Sequence, residues 1–210
     1  MMTGGHRAGL FGTVTPNGGL RDISSINIRI AREFPDCALP LLDEFDGGGM
    51  LLCGPPGSGK TTLLRDLCRQ LSNGIGGRNY RVAVVDSRGE LSGSCGGLAC
   101  NDLGANTDVL VTSNKAAGAE IALRTMFPEI LAFDEIGTAE ELQCVAESMN
   151  AGVTVLTTAH IGEKADIMRR RVTKNLIGSG AISRVAVLPP KIGDPMRVYA
   201  AQEFKRVFHR

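Results

Sequence analysis

A glycine-rich stretch followed by a lysine and a threonine is the part of this 210-residue sequence that is best suited to chemistry. Its pattern is G-x-x-x-x-G-K-[ST], and with the next threonine it comprises Gly54, Pro55, Pro56, Gly57, Ser58, Gly59, Lys60, Thr61 and Thr62. Glycines let successive backbone N–H groups turn towards one anion, and a following helix adds its own N–H groups and the positive end of its dipole. The pattern therefore predicts a loop that binds the phosphates of a nucleotide.

Two side chains at the end of this loop have separate predicted roles. Lys60 is expected to reach the β- and γ-phosphates of ATP as a mobile positive charge, and the Thr61 hydroxyl to bind Mg²⁺. A chance glycine-rich turn is the alternative. The flanking sequence favours the phosphate loop, because the apolar run over 49–53 is typical of a buried strand and leucines recur at helical spacing over 61–71.

Four hydrophobic residues followed by two acids form the second candidate. The run over 130–133 predicts a central strand, and Asp134 and Glu135 follow it directly. We expect Asp134 to hold Mg²⁺ through water, and Glu135 to orient or deprotonate the water that attacks ATP. A strand that ends in a solvated acidic turn is the alternative, and the upstream phosphate loop favours the catalytic pair.

Polar side chains also follow two other predicted strands. His160 comes just after the run over 153–158, where it could sense the γ-phosphate, although a lone histidine is more often an ordinary surface or core residue. Asp86 ends the run over 81–86. Open α/β sheets place their ligands at the carboxyl ends of their strands, which is where Asp86 is predicted to lie.

Composition limits the other classes of function. Hydrophobic residues make up 43% of the chain and charged residues 21%, as in ordinary soluble globular proteins. The net charge is +1, tryptophan is absent and aromatic residues are 4%, so no nucleic-acid partner is expected. Six cysteines without a C-x-x-C pair predict reduced thiols. No apolar run approaches the roughly 20 residues that span a bilayer and no signal region is seen, which predicts a cytoplasmic protein.

The order of the predicted elements indicates the architecture. Strands alternate with helices through most of the chain, and two extended segments over 182–188 and 196–204 close it. This order predicts an α/β, RecA-like fold with a central, mostly parallel sheet and a C-terminal antiparallel hairpin. Residues 87–108 lack periodicity and are predicted to form a long loop or a partly irregular helix near the site. The predicted helices in the second half of the chain cover 115–127, 138–150 and 163–174, with Thr138 as an N-cap.

A hairpin is predicted before this domain. Segments 7–15 and 20–30 are rich in strand-forming residues, and the Asn17-Gly18 step between them is a strong turn signal. A lone hairpin cannot bury itself, so we expect it to dock on another surface as the remnant of an accessory domain whose earlier part is absent. The predicted boundaries are 1–35 for this accessory β segment and 36–210 for the P-loop ATPase domain.

Longer stretches of the sequence resemble known families. Segments 122–135, 147–152 and 156–160 resemble the secretion ATPases of type II and type IV systems, with their Walker B glutamate and histidine box. The chain is similar over nearly its whole length to the stage III sporulation protein AA family, most specifically in four segments: 6–10, 25–33, 85–90 and 134–137.

The resemblance implies a biological setting and an assembly. It implies an ATPase in the mother-cell cytoplasm of an endospore former, acting with membrane-embedded proteins of the channel that joins mother cell and forespore. It also implies a homo-oligomer, namely a hexameric ring. A nucleotide-binding regulatory switch, a nucleic-acid-associated P-loop ATPase and a small-molecule kinase are the alternatives, and the sequence does not indicate the acceptor pocket and lid of a kinase.

Arg29 and Arg32 are candidates for an arginine finger that acts on the neighbouring subunit. RecA-like ATPases usually need a cation from a neighbour to offset charge on the γ-phosphate. Both arginines follow a predicted strand of the accessory segment, and secretion ATPases use arginines of their N-terminal domain in this way. Solvated side chains, or pairs with Glu33 and Asp36, are the alternative. Arg124 is a second candidate.

Overall fold

The structure is a computed structural model that describes residues 6–30, 32–94, 99–191 and 193–205. Its main element is a seven-stranded sheet of order β5-β4-β6-β7-β3-β8-β9, in which all neighbours are parallel except β8 and β9. A separate two-stranded sheet pairs β1 with β2. This confirms the predicted α/β class, the mostly parallel central sheet and the C-terminal antiparallel hairpin. The strands are β1 (Arg7–Val14), β2 (Leu20–Arg29), β3 (Met50–Gly54), β4 (Val82–Asp86), β5 (Thr107–Val111), β6 (Ile130–Phe133), β7 (Thr154–His160), β8 (Arg184–Val187) and β9 (Arg197–Ala200).

Helices cover both faces of the large sheet. The helices are α1 (Leu39–Leu42), α2 (Lys60–Ser72), α3 (Lys115–Thr125), α4 (Ala139–Asn150), α5 (Arg171–Ser179) and α6 (Ala201–Lys205). Met50 and Leu52 of β3 pack in the core beneath α1 and α2, whereas Leu51 and Cys53 pack in the opposite core with residues of α3 to α6. Every residue of β3 and β4 is buried, because a parallel sheet with helices on both faces has no solvated side. This explains why the strands appear as continuous apolar runs.

The start of α4 fixes the point at which the chain leaves the sheet after β6. The Thr138 hydroxyl accepts a hydrogen bond from the N–H of Glu141 at 3.2 Å, and the Glu141 carboxylate accepts one from the N–H of Thr138 at 3.1 Å. This is a capping box, so the prediction of Thr138 as the N-cap is confirmed. The helix ends at Asn150, also as predicted.

The N-terminal hairpin forms as predicted, with Gly18 in the left-handed region at φ +76° in its turn. All ten residues of β2 are exposed. Leu10 lies opposite Ile26, and Ile28 lies on the same face of the ribbon; these three side chains are 51%, 59% and 59% exposed. The docking surface that we expected for the hairpin is therefore not supplied by the described part of this chain.

Two predicted elements near the C-terminus are wrong. Residues 163–174 are not one helix: a 3-10 turn covers Lys164–Asp166, and α5 begins only at Arg171. Between them Ile167 is fully buried, and its carbonyl accepts a hydrogen bond from the Thr173 hydroxyl. Burial of this side chain, which the polar sequence around it did not indicate, interrupts the helix.

The second error concerns the closing strand. The predicted strand over 196–204 is β9 followed by the short helix α6. The N–H of Ala201 donates to the carbonyl of Ser183 at 2.8 Å, and the chain then turns so that Phe204 is buried against the edge of the Tyr199 ring, with centroids 5.9 Å apart. Aromatic residues favour strands, and here the core contact overrides that preference.

Three further predictions concern the loop, the thiols and the membrane. Of the predicted segment 87–108, the described part up to residue 106 contains no helix or strand, whereas 107 and 108 already belong to β5; residues 95–98 lie outside the described residues. Cys37, Cys53, Cys68 and Cys144 are free thiols, as predicted. Among the described residues, no helix has the length and apolar character needed to cross a bilayer.

Candidate nucleotide-binding site

The glycine-rich motif forms the connection from β3 to α2, as predicted. Gly57 and Gly59 have φ angles of +78° and +91°, in the left-handed region that favours glycine, and Gly59 is the N-cap of α2. A Cβ atom on Gly54 would lie 2.4 Å from the Ser58 hydroxyl, so a side chain there would displace Ser58 of the loop. The loop thus returns closely on itself at the N-terminus of a thirteen-residue helix, which is the geometry that cradles an anion.

Lys60 lies inside this loop. It is only 5% exposed, and its Nζ donates to the Pro55 carbonyl at 2.8 Å. Burial lowers the pKa of the Lys60 ammonium, and the negative charges of Glu135 and Asp134 oppose that shift. The positive charge is therefore held between the loop and the two acids that follow β6.

Thr61 and Asp134 meet across the site. The Thr61 hydroxyl donates to Oδ1 of Asp134 at 3.0 Å. Burial raises the pKa of the Asp134 carboxyl, the Thr61 hydrogen bond lowers it, and the charges of Glu90 and Asp86 raise it further. A hydroxyl and a carboxylate oxygen this close together are the hard oxygen ligands that Mg²⁺ prefers, so the two residues fit the predicted metal.

Glu135 and His160 form the other polar pair of the site. Nε2 of His160 lies 3.5 Å from Oε2 of Glu135, and Nδ1 of His160 is buried with no hydrogen-bond partner in the described residues. The pair forms because β7 lies between β3 and β6: His160, the last residue of β7, is in register with Gly54 on one side, and β6, which Glu135 follows, lies on the other. The structure therefore brings together all the predicted phosphate-loop, metal and catalytic residues at one edge of the sheet.

Two contacts that sequence reasoning missed fix the backbone of the acidic pair. The Thr158 hydroxyl donates to the Asp134 carbonyl, and Nζ of Lys115 donates to the Glu135 carbonyl. Lys115 also lies 3.5 Å from the Glu141 carboxylate, which belongs to the capping box of α4. These contacts join residues of separate segments. The one feature of the sequence that could have indicated them is a lysine in the first turn of a helix that follows a strand.

Asp86 lies at the carboxyl end of β4, as predicted, but its carboxylate is occupied within its own loop. It accepts hydrogen bonds from the N–H groups of Arg88, Glu90 and Ser92 at 3.3, 3.1 and 2.9 Å, and from the Ser92 hydroxyl at 2.8 Å. Asp86 therefore orders the chain that follows it.

A cavity of about 530 Å³ adjoins the phosphate loop. One wall is formed by Ser58, Gly59, Thr62 and Leu63, and another by the connection between β8 and β9. The Ser58 hydroxyl is buried and has no hydrogen-bond partner among the described residues. The remaining lining residues are Phe34, Cys37, Pro40, Leu188, Pro189, Lys191, Gly193, Asp194, Pro195 and Met196.

Arg29 and Arg32 are exposed, with Arg29 at the end of β2. The acids considered as their partners have other contacts: Glu33 accepts a hydrogen bond from the N–H of Asp102 at 2.8 Å, and Asp36 pairs with Arg69 at 2.7 Å. Arg124, the second candidate, pairs with Glu120 at 2.7 Å. The arginine finger stays a prediction, since it concerns a second subunit.

Fold and site together define a RecA-like P-loop protein, and solved structures share this fold. The ATPase DotB of Legionella pneumophila has a TM-score of 0.62 at 19% identity, covering 92% of this chain and 56% of that one. The pilus retraction motor PilT has a TM-score of 0.58 at 18% identity, covering 98% and 69%. The VirB11 ATPase of the Brucella suis type IV secretion system has a TM-score of 0.54 at 16% identity, covering 81% and 52%. The predicted RecA-like fold is confirmed.

The chain belongs to the sporulation stage III protein AA family. It matches the model of the family described as "Sporulation stage III, protein AA" over residues 1–206. It is 41% identical over 191 residues to Stage III sporulation protein AA of Bacillus subtilis, which covers 86% of this chain and 62% of that protein. Protein SEEDLING PLASTID DEVELOPMENT 1 of Arabidopsis thaliana is 30% identical over 159 residues, covering 74% and 23%. The chain therefore spans less than two thirds of the length of these relatives.

Proposed function

We propose that this chain is a Mg²⁺-dependent ATPase that works as a motor or assembly ATPase of the mother cell–forespore channel in endospore formation. The observation that carries the proposal is the convergence of Lys60, Thr61, Asp134 and Glu135 at the carboxyl edge of the sheet, with Thr61 and Asp134 3.0 Å apart. Family membership supports the sporulation role, and the likeness in fold to secretion ATPases supports the motor role.

Each residue has a task that its position allows. Lys60 and the N–H groups of the loop bind the β- and γ-phosphates, and Thr61 and Asp134 would hold Mg²⁺, which would offset the negative charge that develops on the phosphate oxygens. Glu135 orients the attacking water and accepts its proton, a contribution of about 10²–10⁴ in rate for a general base. His160 orients the Glu135 carboxylate through the 3.5 Å contact and senses the γ-phosphate.

The cavity beside the loop is the proposed site of the nucleoside. It adjoins Gly59 and Thr62 at the N-terminus of α2, so a nucleotide whose phosphates lie in the loop extends into it. Its apolar residues, such as Leu63, Pro189 and Met196, suit the faces of a base. Asp194 and the Ser58 hydroxyl are polar groups that can fix its orientation.

Steady-state phosphate release tests the activity. Lys60→Ala and Glu135→Gln should both lose Mg²⁺-dependent release. Glu44→Gln is the matched control, because Glu44 is exposed and precedes β3 at the opposite edge of the sheet. If wild type and Glu135→Gln both bind nucleotide but release phosphate no faster than a protein-free control, while Lys60→Ala loses nucleotide binding, the chain is a nucleotide-binding switch. If neither variant differs from wild type, the assignment of the site is wrong.

Complementation tests the biological role. In an endospore-forming host whose own family member is deleted, the Glu44→Gln gene should restore heat-resistant spores, and the Lys60→Ala and Glu135→Gln genes should not. Each gene encodes this chain in place of the matching part of the host's family member, and the rest of the host's protein is kept. Restoration by all three genes would show that ATP hydrolysis is not what the channel needs.

A further inference from the structure

Phe34 is an exposed aromatic residue beside the cavity that adjoins the phosphate loop. It lines this cavity together with Thr62 and Leu63 of α2, and it is 55% exposed. It also lines a smaller cavity of about 70 Å³, again with Thr62. Among the described residues that line the larger cavity, Phe34 is the one aromatic side chain. A ligand with a flat ring would therefore find its aromatic partner here.

The segment that carries Phe34 is fixed on both sides. Before it, the Glu33 carboxylate accepts a hydrogen bond from the N–H of Asp102 at 2.8 Å. After it, the Asp36 carboxylate lies 2.7 Å from Nη2 of Arg69, which belongs to α2. The backbone around Phe34 is thus held against the phosphate-loop helix and the segment that precedes β5.

The turn that follows Phe34 is held in an unusual conformation. Asp36 has a φ angle of +65°, in the left-handed region that non-glycine residues seldom adopt. Such a residue persists where the surrounding structure holds it, and here the N–H of Ala38 donates to the buried Asp66 carboxylate at 2.8 Å. The turn is therefore preorganised, and a ligand that packs on Phe34 would have to order little further chain.

We infer that Phe34 is the side chain on which the base of the nucleotide stacks. The inference rests on the proposed ATPase function, in which the phosphates lie in the loop and the nucleoside extends into the cavity. Every base has a flat face that packs on an aromatic ring, and Leu63 and Met196 add apolar surface to the same cavity. Stacking needs no particular pattern of donors and acceptors, so Phe34 contributes affinity for the nucleoside, and the phosphates are bound without it.

The first test compares a ligand that has a base with one that has none. By calorimetry, Phe34→Ala should weaken binding of Mg²⁺–ADP by roughly 5- to 150-fold, which is the range for one base on an aromatic ring. It should leave binding of inorganic pyrophosphate at the wild-type value. Phe34→Tyr should keep most of the ADP affinity because it retains the ring. Phe127→Ala is the matched control, because Phe127 is 75% exposed and precedes β6 at the opposite edge of the sheet.

The second test uses fluorescence and does not depend on catalysis. The sequence contains no tryptophan, so Phe34→Trp places the single indole of the protein beside the cavity. Its emission should change when Mg²⁺–ADP binds, because the base then covers the indole, and should stay constant when pyrophosphate binds. Phe127→Trp should respond to neither ligand.

Three results would overturn the inference. They are wild-type ADP affinity in Phe34→Ala, an equal loss of pyrophosphate binding in that variant, and an indole at position 34 that responds to pyrophosphate as strongly as to ADP. Each leaves the proposed function intact as long as Lys60→Ala loses both ligands and Glu135→Gln loses turnover. A wild-type protein that binds neither ADP nor pyrophosphate would instead refute the proposed function, and the inference with it.

Discussion

Replacing Lys115 with methionine should destabilise the protein and slow hydrolysis, because Lys115 joins three segments around the acidic pair. Its ammonium donates to the Glu135 carbonyl and lies 3.5 Å from Glu141, and the two side chains are only 14% and 13% exposed. A hydrogen bond to a charged group contributes about 1.5–3 kcal/mol. Without Lys115, the Glu141 carboxylate would still accept hydrogen bonds from the N–H groups of Gly137 and Thr138, at 2.7 and 3.1 Å. These bonds limit the free-energy cost of losing its positively charged partner.

We therefore expect a loss of about 2–3 kcal/mol in the free energy of unfolding, or roughly 4–12 °C in Tm for a domain of this size. Urea denaturation measures it, with an unchanged m value as the sign that the unfolded state is not altered. Arg171→Met, at the exposed start of α5, is the control. A loss below about 0.5 kcal/mol, within the range of ordinary surface substitutions, would refute the role given to Lys115.

Three further outcomes follow from individual residues. Gly54→Ala should lose nucleotide binding because its Cβ would lie 2.4 Å from a hydroxyl of the loop, whereas Gly178→Ala, with open space in α5, should bind normally and gain stability. Thr157→Val should leave stability unchanged or raise it in thermal unfolding, because the Thr157 hydroxyl is buried without a described partner; a clear loss would mean that it is bonded. Mixing inactive Arg29→Ala with inactive Lys60→Ala protein should restore some phosphate release if the finger acts between subunits, and normal hydrolysis by Arg29→Ala and Arg32→Ala proteins would exclude both.

The phosphate loop and the acidic pair could be predicted because their information is local. Each is a contiguous pattern that directly follows a buried strand, and parallel strands bring their carboxyl ends to one edge whatever the details of packing. The N-cap at Thr138 was likewise predictable, since a capping box needs only residues three positions apart. In these places the residue types alone determine the local geometry.

The contacts that position the site could not be predicted in the same way. Arg65 and Lys115 donate hydrogen bonds to backbone carbonyl groups of distant segments. Because every residue has a carbonyl group, the sequence does not indicate which one accepts the bond. The errors at α5 and α6 have a similar cause, because Ile167 and Phe204 are buried through tertiary packing that local propensity does not report. The strand pattern of the hairpin was predicted, but its apolar face remains exposed in the described part of the chain, so the expected docking surface stays a prediction.

The most direct test of the ATPase is the nucleotide that the Glu135→Gln protein retains after mixing with Mg²⁺ and ATP. Glu135→Gln keeps Lys60 and the loop and removes only the activation of water, so it should bind ATP with wild-type affinity and hold it unhydrolysed, with turnover slower by about 10²–10⁴-fold. Lys60→Ala should retain no nucleotide. Recovery of ADP from Glu135→Gln at the wild-type rate, or of bound ATP from Lys60→Ala, would contradict the proposed site.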